Sequence, residues 1–393
     1  MESELGVPPA WGEPPVGNAP SARTRHTLAD VLPSVLAALG GDIADQAPAI
    51  ELTPARRAIV VLIDGLGDQL LRRRAGHAPF LRSSLPSAQT ITCGFPSTTA
   101  TSMGTFGTGL LPGAHGMVGY EMLDPDRDVV FNGLSWEGGP EPRRWQPNHT
   151  VFERAEASGI SVTRIGPGFF DGSGLTIAAL RGGSFRAASG LAAGVDAALA
   201  ASRATPRSLV YLYWGDLDKT GHVHGAASWQ WGDELESIDA QIARLVAGVA
   251  EDTAVILTAD HGMVDVPLTQ RIDLALEPEL LDGVRHTSGE PRALALHCAP
   301  GAATDVMQRW QERLGDRGVV ESRATTMAAG RFGPVSDWVA PRIGDLLVLC
   351  DPGLAVVNSA VMRPVVLALL GLHGGVTADE VLVPMFHWPA RLA

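Results

Sequence analysis

Apolar positions in the first ordered-looking stretch repeat at helical spacing. Across Thr27–Leu39, Leu28, Val31, Leu32, Val35 and Leu36 share one side, which predicts an amphipathic helix, and Gly40-Gly41 ends it. Continuous apolar runs follow at Ala58–Ile63, Leu209–Tyr213 and Ala254–Thr258, each short enough and β-branched enough to read as a buried strand. Helical patterns at Ala187–Ala201 and Leu235–Val249 lie between them. Strands alternating with helices predict an α/β protein with a mostly parallel sheet sandwiched by helices. In such sheets ligands bind beyond the carboxyl ends of the strands. Asp-containing motifs follow each of these three runs, where that rule places a site.

Other stretches read differently. Residues 1–25 are rich in Pro and Gly and predict a flexible tail. Residues 266–340 are polar and Gly-rich around a strand-like Arg292–His297, with another strand-like run at Leu346–Leu349. The expected organisation is a catalytic core over 26–265 and 341–393, with 266–340 as a smaller inserted cap.

The formal charge of −13 disfavours a nucleic-acid polymer, whose phosphates need Lys and Arg. A small phosphate ester stays open, because bound cations dominate the field of a metal site. Cys93, Cys298 and Cys350 are odd in number and form no Cys-x-x-Cys, which argues against a disulfide framework or a cysteine zinc site. The N-terminus lacks a basic start followed by an apolar stretch, so no signal peptide is expected. No apolar run reaches about 18 residues, the minimum for a spanning helix, and Val365–Leu372 is too short. A cytoplasmic protein without a membrane partner is expected.

Five motifs carry chemistry. Asp64-Gly65 follows the strand VVLI, where an Asp can reach a metal while Gly lets the backbone turn. Phe95-Pro96-Ser97-Thr98-Thr99 approaches a helix whose start places hydroxyls where backbone N–H groups favour phosphate. Asp218 and His222 lie four apart, one helical turn, after the strand LVYLYW, with Asp216 and His224 as further candidates. Asp260-His261-Gly262 ends the run Ala254–Thr258 and offers hard oxygen and imidazole nitrogen, the pair that suits zinc-type ions. His373-Gly374-Gly375 precedes Thr377 and Glu380, which resemble a capping box. Taken singly, the Asp64, Thr-rich and His373 motifs read as ordinary turns or caps, whereas Asp218/His222 and Asp260-His261 already lean toward ligation; together they point to two-metal phosphoryl transfer.

In this order the motifs resemble those of the alkaline phosphatase superfamily, and especially its nucleotide pyrophosphatase/phosphodiesterase branch, over about 58–264 and 343–393. The resemblance implies two divalent cations, usually zinc with manganese as an alternative, about 4 Å apart. One would be held by Asp218, His222 and His373, the other by Asp64, Asp260, His261 and the nucleophile oxygen. The implied nucleophile lies nine residues before the Thr of a Thr-Gly pair. Here that pair is Thr108-Gly109 and the nucleophile Thr99, with Thr98 the alternative register. The branch commonly contacts the phosphoryl group through an Asn. The position three after Thr99 is instead Ser102, and Asn132 is a candidate substitute. A sulfatase Cys-x-Pro-x-Arg is not formed by Cys93-Gly94-Phe95-Pro96, and the Asn-Ser-Glu arrangement of metal-dependent phosphoglycerate mutases is absent. The implied activity is hydrolysis of a small phosphate diester or nucleotide through a phosphothreonine intermediate. The alternatives are a phosphomonoesterase or phosphotransferase on the same core, and a non-catalytic metal-binding protein that keeps the fold. Gly289-Glu290-Pro291-Arg292, with His286, is placed in the cap facing the substrate or in a structural role. His77, His115, His149 and His297 are expected to be structural or at the surface.

Overall fold

The computed structural model describes residues 26–43 and 48–391, so the tail expected over 1–25 lies outside the described residues. Among them a seven-stranded sheet runs in the order Gln89–Thr92, Leu382–Trp388, Thr253–Thr258, Arg57–Ile63, Ser208–Trp214, Ser161–Gly166, Ser184–Ala187. The last five are mutually parallel, and Leu382–Trp388 is antiparallel to both neighbours. The three apolar runs of the sequence are the three central strands. Each is buried on both faces, which is why each reads as continuous rather than alternating. Helices cover both sides. Phe106 on the helix Thr99–Thr108 packs on Tyr211 with ring centroids 5.3 Å apart, while Leu191–Arg203 lies over the face that carries Leu212. This is the α/β architecture expected.

A second sheet, of six strands, runs Gly318–Ser322, Leu346–Cys350, Ala293–Cys298, Val284–Glu290, Glu121–Asp124, Val129–Asn132. It draws on residues 121–132 and 346–350 as well as on 266–340. The strand Leu346–Cys350 shows how it joins the main sheet. By strand alternation, Leu347 and Leu349 enter the large core, while Leu346, Val348 and Cys350 enter a second core with Trp310 and Val306. All three cysteines are free and buried. No helix among the described residues is long and apolar enough to cross a membrane.

Arg292 and Glu380 tie the smaller sheet to the His373 segment. Both side chains are fully buried, and the guanidinium forks onto the carboxylate at 2.7 and 2.8 Å. Glu380 also accepts from Gly375 N and Thr377 Oγ1, so the expected capping box is present and extended. Burial alone would raise the Glu380 pKa, but Arg292 holds it below the ordinary glutamate range. A depressed carboxyl contributes stability above that range and loses it as pH falls through and below it. Arg292→Met strands the buried carboxylate and should lower unfolding stability by about 3–5 kcal/mol at neutral pH. Denaturant titrations should show the deficit shrinking toward acid pH, where Glu380 protonates.

Candidate active site

The central strands deliver their carboxyl ends together. Ile63 is in register with Trp214, and Leu62 with Thr258, so Asp64, the helix Asp216–His224 and Asp260-His261 emerge at one edge of the sheet. Gly65, at φ 74°, makes the turn after Asp64, and a Cβ there would lie 2.9 Å from Asp218 Cβ. A side chain at 65 would therefore push the two acids apart.

Thr98 is the N-cap of the helix Thr99–Thr108, and Gly109 ends it in the left-handed conformation. The first intrahelical bond is Ser102 N to Thr98 O, so the amides of Thr99, Ala100 and Thr101 precede the ladder. The Thr99 hydroxyl lies 3.2 Å from His261 Nε2 and 3.5 Å from Asp64 Oδ2. Thr98 is buried beside Glu290 instead.

Three histidines converge on three aspartates. His222 Nδ1 donates to Gly371 O at 2.7 Å, His261 Nδ1 to Gly262 O at 2.9 Å and His373 Nδ1 to Ser97 O at 3.0 Å. A carbonyl can only accept, so each ring turns Nε2 toward the acids, the orientation usual for metal-binding imidazole. His222 Nε2 is 3.2 Å from Asp218, and His261 Nε2 is 3.4 Å from both Asp64 and Asp260. His261 and His373 stack with centroids 3.8 Å apart. Donor atoms of Asp218, His222 and His373 lie within 4.8 Å of one another, and so do those of Asp64, Asp218 and His261. Asp218 thus belongs to both groups.

The electrostatics of the cluster are those of crowded, buried acids. Burial, then the charges of Asp260 and Asp218, push Asp64 well above the carboxylate range; burial and Asp218 lift Asp260 to about 7. His222 is raised to about 9 by Asp218, against the burial that would lower it. Asp64 Oδ1, Asp218 Oδ1 and Asp260 Oδ2 are buried with no hydrogen-bond partner. Orphaned buried carboxylate oxygens are costly unless a ligand meets them. Three such atoms beside inward Nε2 groups fit divalent cations with mixed oxygen and nitrogen ligation.

Asp64, Thr99, Asp218, His222 and His373 line a cavity of about 430 Å³. Asp260 and His261 are buried beneath them. Two expected substrate contacts lie elsewhere. Ser102 is fully buried and donates to the Asp260 carbonyl at 2.7 Å, so it braces a neighbour of the cluster rather than meeting a ligand. Asn132 uses its carbonyl oxygen on the amides of Leu134 and Ser135 and does not line the cavity. Of the extra candidates, Asp216 pairs with Lys219 at the cavity mouth and His224 is exposed. The Gly289–Arg292 motif divides. Glu290 lines the cavity, pushed up to about 8 by burial, whereas Arg292 is structural and His286 pairs with Asp128. His115, lowered to about 3 by burial, bonds Thr105, and His297 bonds Ser288 inside the second sheet.

Two supporting residues escape the motif reading. Tyr213 donates its hydroxyl to Asp64, and its only sequence signal is a tyrosine near the end of a buried run. Ser97 donates to Gly375 O at 2.8 Å and accepts from Gly374 N at 3.1 Å, tying the approach to Thr99 onto the His373 segment.

Residues 58–375 match the family described as type I phosphodiesterase / nucleotide pyrophosphatase. The chain belongs to this family. The human ectonucleotide pyrophosphatase/phosphodiesterase family member 1 is 26% identical over 234 residues, 56% of this chain. The chain spans about a quarter of that relative's length, since the match covers 24% of it. Among solved structures, murine ectonucleotide pyrophosphatase/phosphodiesterase 5, as an inactive threonine-to-alanine variant in complex with AMP, superposes with a TM-score of 0.68 at 18% identity. The match covers 86% of this chain and 90% of that one. The human counterpart gives 0.66 at 19% identity, covering 85% and 88%. These superpositions establish that this family member has the same fold.

Proposed function

We propose that this member of the phosphodiesterase/nucleotide pyrophosphatase family hydrolyses small phosphate diesters, with Thr99 as nucleophile. The observation that carries the reading is the Thr99 hydroxyl, at a helix start, facing the Asp/His cluster inside a cavity. Asp218, His222 and His373 would hold one cation, and Asp64, Asp260, His261 and Thr99 the other, with Asp218 near both. Zinc-type ions suit these donors, and manganese is the alternative. When bound, such cations supply Lewis acidity that lowers the hydroxyl's pKa and offsets charge on the phosphoryl oxygens.

The chain's own groups do the rest. His261 and Asp64 orient the Thr99 hydroxyl. The amides of Thr99, Ala100 and Thr101 offer donors and a helix dipole to a phosphoryl oxygen. Thr99 Oγ1 gives its proton to solvent and bonds to phosphorus as the bond to the leaving oxygen breaks; water then cleaves the resulting threonine phosphodiester, releasing the phosphate monoester and restoring the Thr99 hydroxyl. Tyr213 and Ser97 fix Asp64 and His373 by hydrogen bonds. The AMP complex of the murine relative supports a nucleotide-type ester as the substrate class.

A diester suits this cavity better than a monoester dianion. No Arg stands in the nucleophile motif to pair with the extra charge of a dianion at Thr99. The p-nitrophenyl ester of thymidine monophosphate should therefore be cleaved at least roughly tenfold faster than p-nitrophenyl phosphate, about 1.4 kcal/mol of barrier. A strong monoester preference would make the enzyme a phosphomonoesterase on the same core.

A further inference from the structure

Deeper in the cavity stands a cation that the reaction above does not use. Arg164 lies on the strand Ser161–Gly166, is only 8% exposed, and lines the same cavity as Thr99. Its Nε donates to Gly182 O at 2.8 Å. Its two terminal nitrogens have no protein hydrogen-bond or ion-pair partner among the described residues. Other lining cations are spent: Arg271 donates to the carbonyls of Val266, Leu367 and Leu369, and Lys219 pairs with Asp216 at the mouth.

The sheet register builds a slot around the guanidinium. Arg164 is flanked in register by Phe185 on one neighbouring strand and Tyr211 on the other, and its guanidinium carbon sits 5.7 Å from the Phe185 ring centroid. Two residues on, the same face carries Gly166, where a Cβ would have only Phe170 and Tyr213 atoms near it, at 3.8 and 4.0 Å. The missing side chain leaves a way over Arg164 from the side of Tyr213, whose hydroxyl meets Asp64. At about 3.3 Å per residue, Arg164 lies roughly 7 Å further along the strand than Gly166, away from the sheet's carboxyl edge. Burial pushes the guanidinium below its ordinary pKa, and Asp171, Tyr211 and Glu156 oppose that only in part. A largely buried guanidinium on a cavity wall, with terminal N–H groups left unpartnered by the protein, has charge and donors to offer an acceptor of opposite charge. Its planar fork matches carboxylate or phosphate oxygens.

Resting on the phosphodiesterase reading, we propose that Arg164 is a specificity-determining subsite for a second anionic group, carboxylate or phosphate, on the substrate whose phosphoryl group lies at Thr99. The substrate class is then a phosphodiester with an anionic end beyond the scissile phosphorus, reaching past Tyr213 between Phe185 and Tyr211.

The test uses p-nitrophenyl phosphodiesters of one short alcohol whose far end is methyl, carboxylate or phosphate. The wild-type enzyme should favour a charged tail over methyl by roughly 10- to 100-fold in kcat/KM, as a charge-assisted hydrogen bond implies. The better of the two charged tails identifies which anion the subsite takes. Arg164→Gln and Gly166→Val, which fills the entry without touching the guanidinium, should each bring that ratio to about one. Arg164→Lys should keep part of it. A wild-type ratio near one, or a ratio unchanged in Arg164→Gln, overturns the proposal. Calorimetry with benzoate and with phenyl phosphate on chelator-treated protein reads the subsite without turnover. Binding that is lost in Arg164→Gln and Gly166→Val supports it even where no diester is hydrolysed, an outcome that would count against the phosphodiesterase reading alone. Absence of binding by both probes to the chelator-treated wild type also overturns it.

Discussion

Thr99→Ala should lower turnover of a phosphodiester by at least roughly a hundredfold, about 3 kcal/mol of barrier, while the protein stays folded. In the proposed mechanism the substitution removes the attacking oxygen and a cation contact in one step. Its structural cost is small, because Thr99 is half-buried at the first helical position and its hydroxyl caps no amide. The helix is held by Met103 and Phe106 in the core. Thr98→Ala is the control. Thr98 lies one residue away, but its hydroxyl is beside Glu290, not Asp64 or His261, so its effect on kcat should be much milder. Comparing kcat of the two variants, with circular dichroism to verify folding, separates the two registers.

Asp218→Asn should have a still larger effect. Asp218 is the residue common to both donor groups, at 3.2 Å from His222 Nε2 and within 4.8 Å of the inward atoms of His261 and Asp64. An amide keeps the shape but offers a weak neutral oxygen to a cation. The wild-type protein, reloaded with zinc or manganese, should hold about two ions per chain. The variant should hold fewer than about one and lose turnover by at least roughly a thousandfold, about 4 kcal/mol. Elemental analysis checks the first outcome and steady-state kinetics the second. Full occupancy in Asp218→Asn, with activity intact, would remove Asp218 from the site.

The parts of this protein legible in its sequence are those where local pattern and chemistry coincide. Ala254–Thr258 reads as a buried strand because it is apolar on both faces, and Asp260-His261 at its end stands out for that reason. Asp218 and His222 are legible because one helical turn is a local geometry. The strand Ser161–Gly166 is not, because it carries Arg164 in the middle of its apolar positions. Nor is Leu382–Trp388, which contains Pro384 and His387. The second sheet is hidden for another reason: its strands pair across more than 150 residues of sequence, as Gly289 does with Glu121. Ser102 misled because a hydroxyl three residues past Thr99 lies near the site in sequence but on the buried side of the helix, facing the Asp260 carbonyl. The roles of Tyr213 and Ser97 depend on long-range contacts, to Asp64 and to the Gly374-Gly375 backbone, that no spacing rule reveals.

The most direct measurement of the central claim is mass spectrometry of enzyme mixed with a diester and quenched in acid during turnover. The account predicts a phosphoryl adduct that keeps the diester's non-leaving alcohol, a thymidylyl group for the thymidine ester, on the peptide that contains Thr99, absent from Thr99→Ala and present in Thr98→Ala. That adduct on another residue, or undiminished turnover in Thr99→Ala, would contradict it.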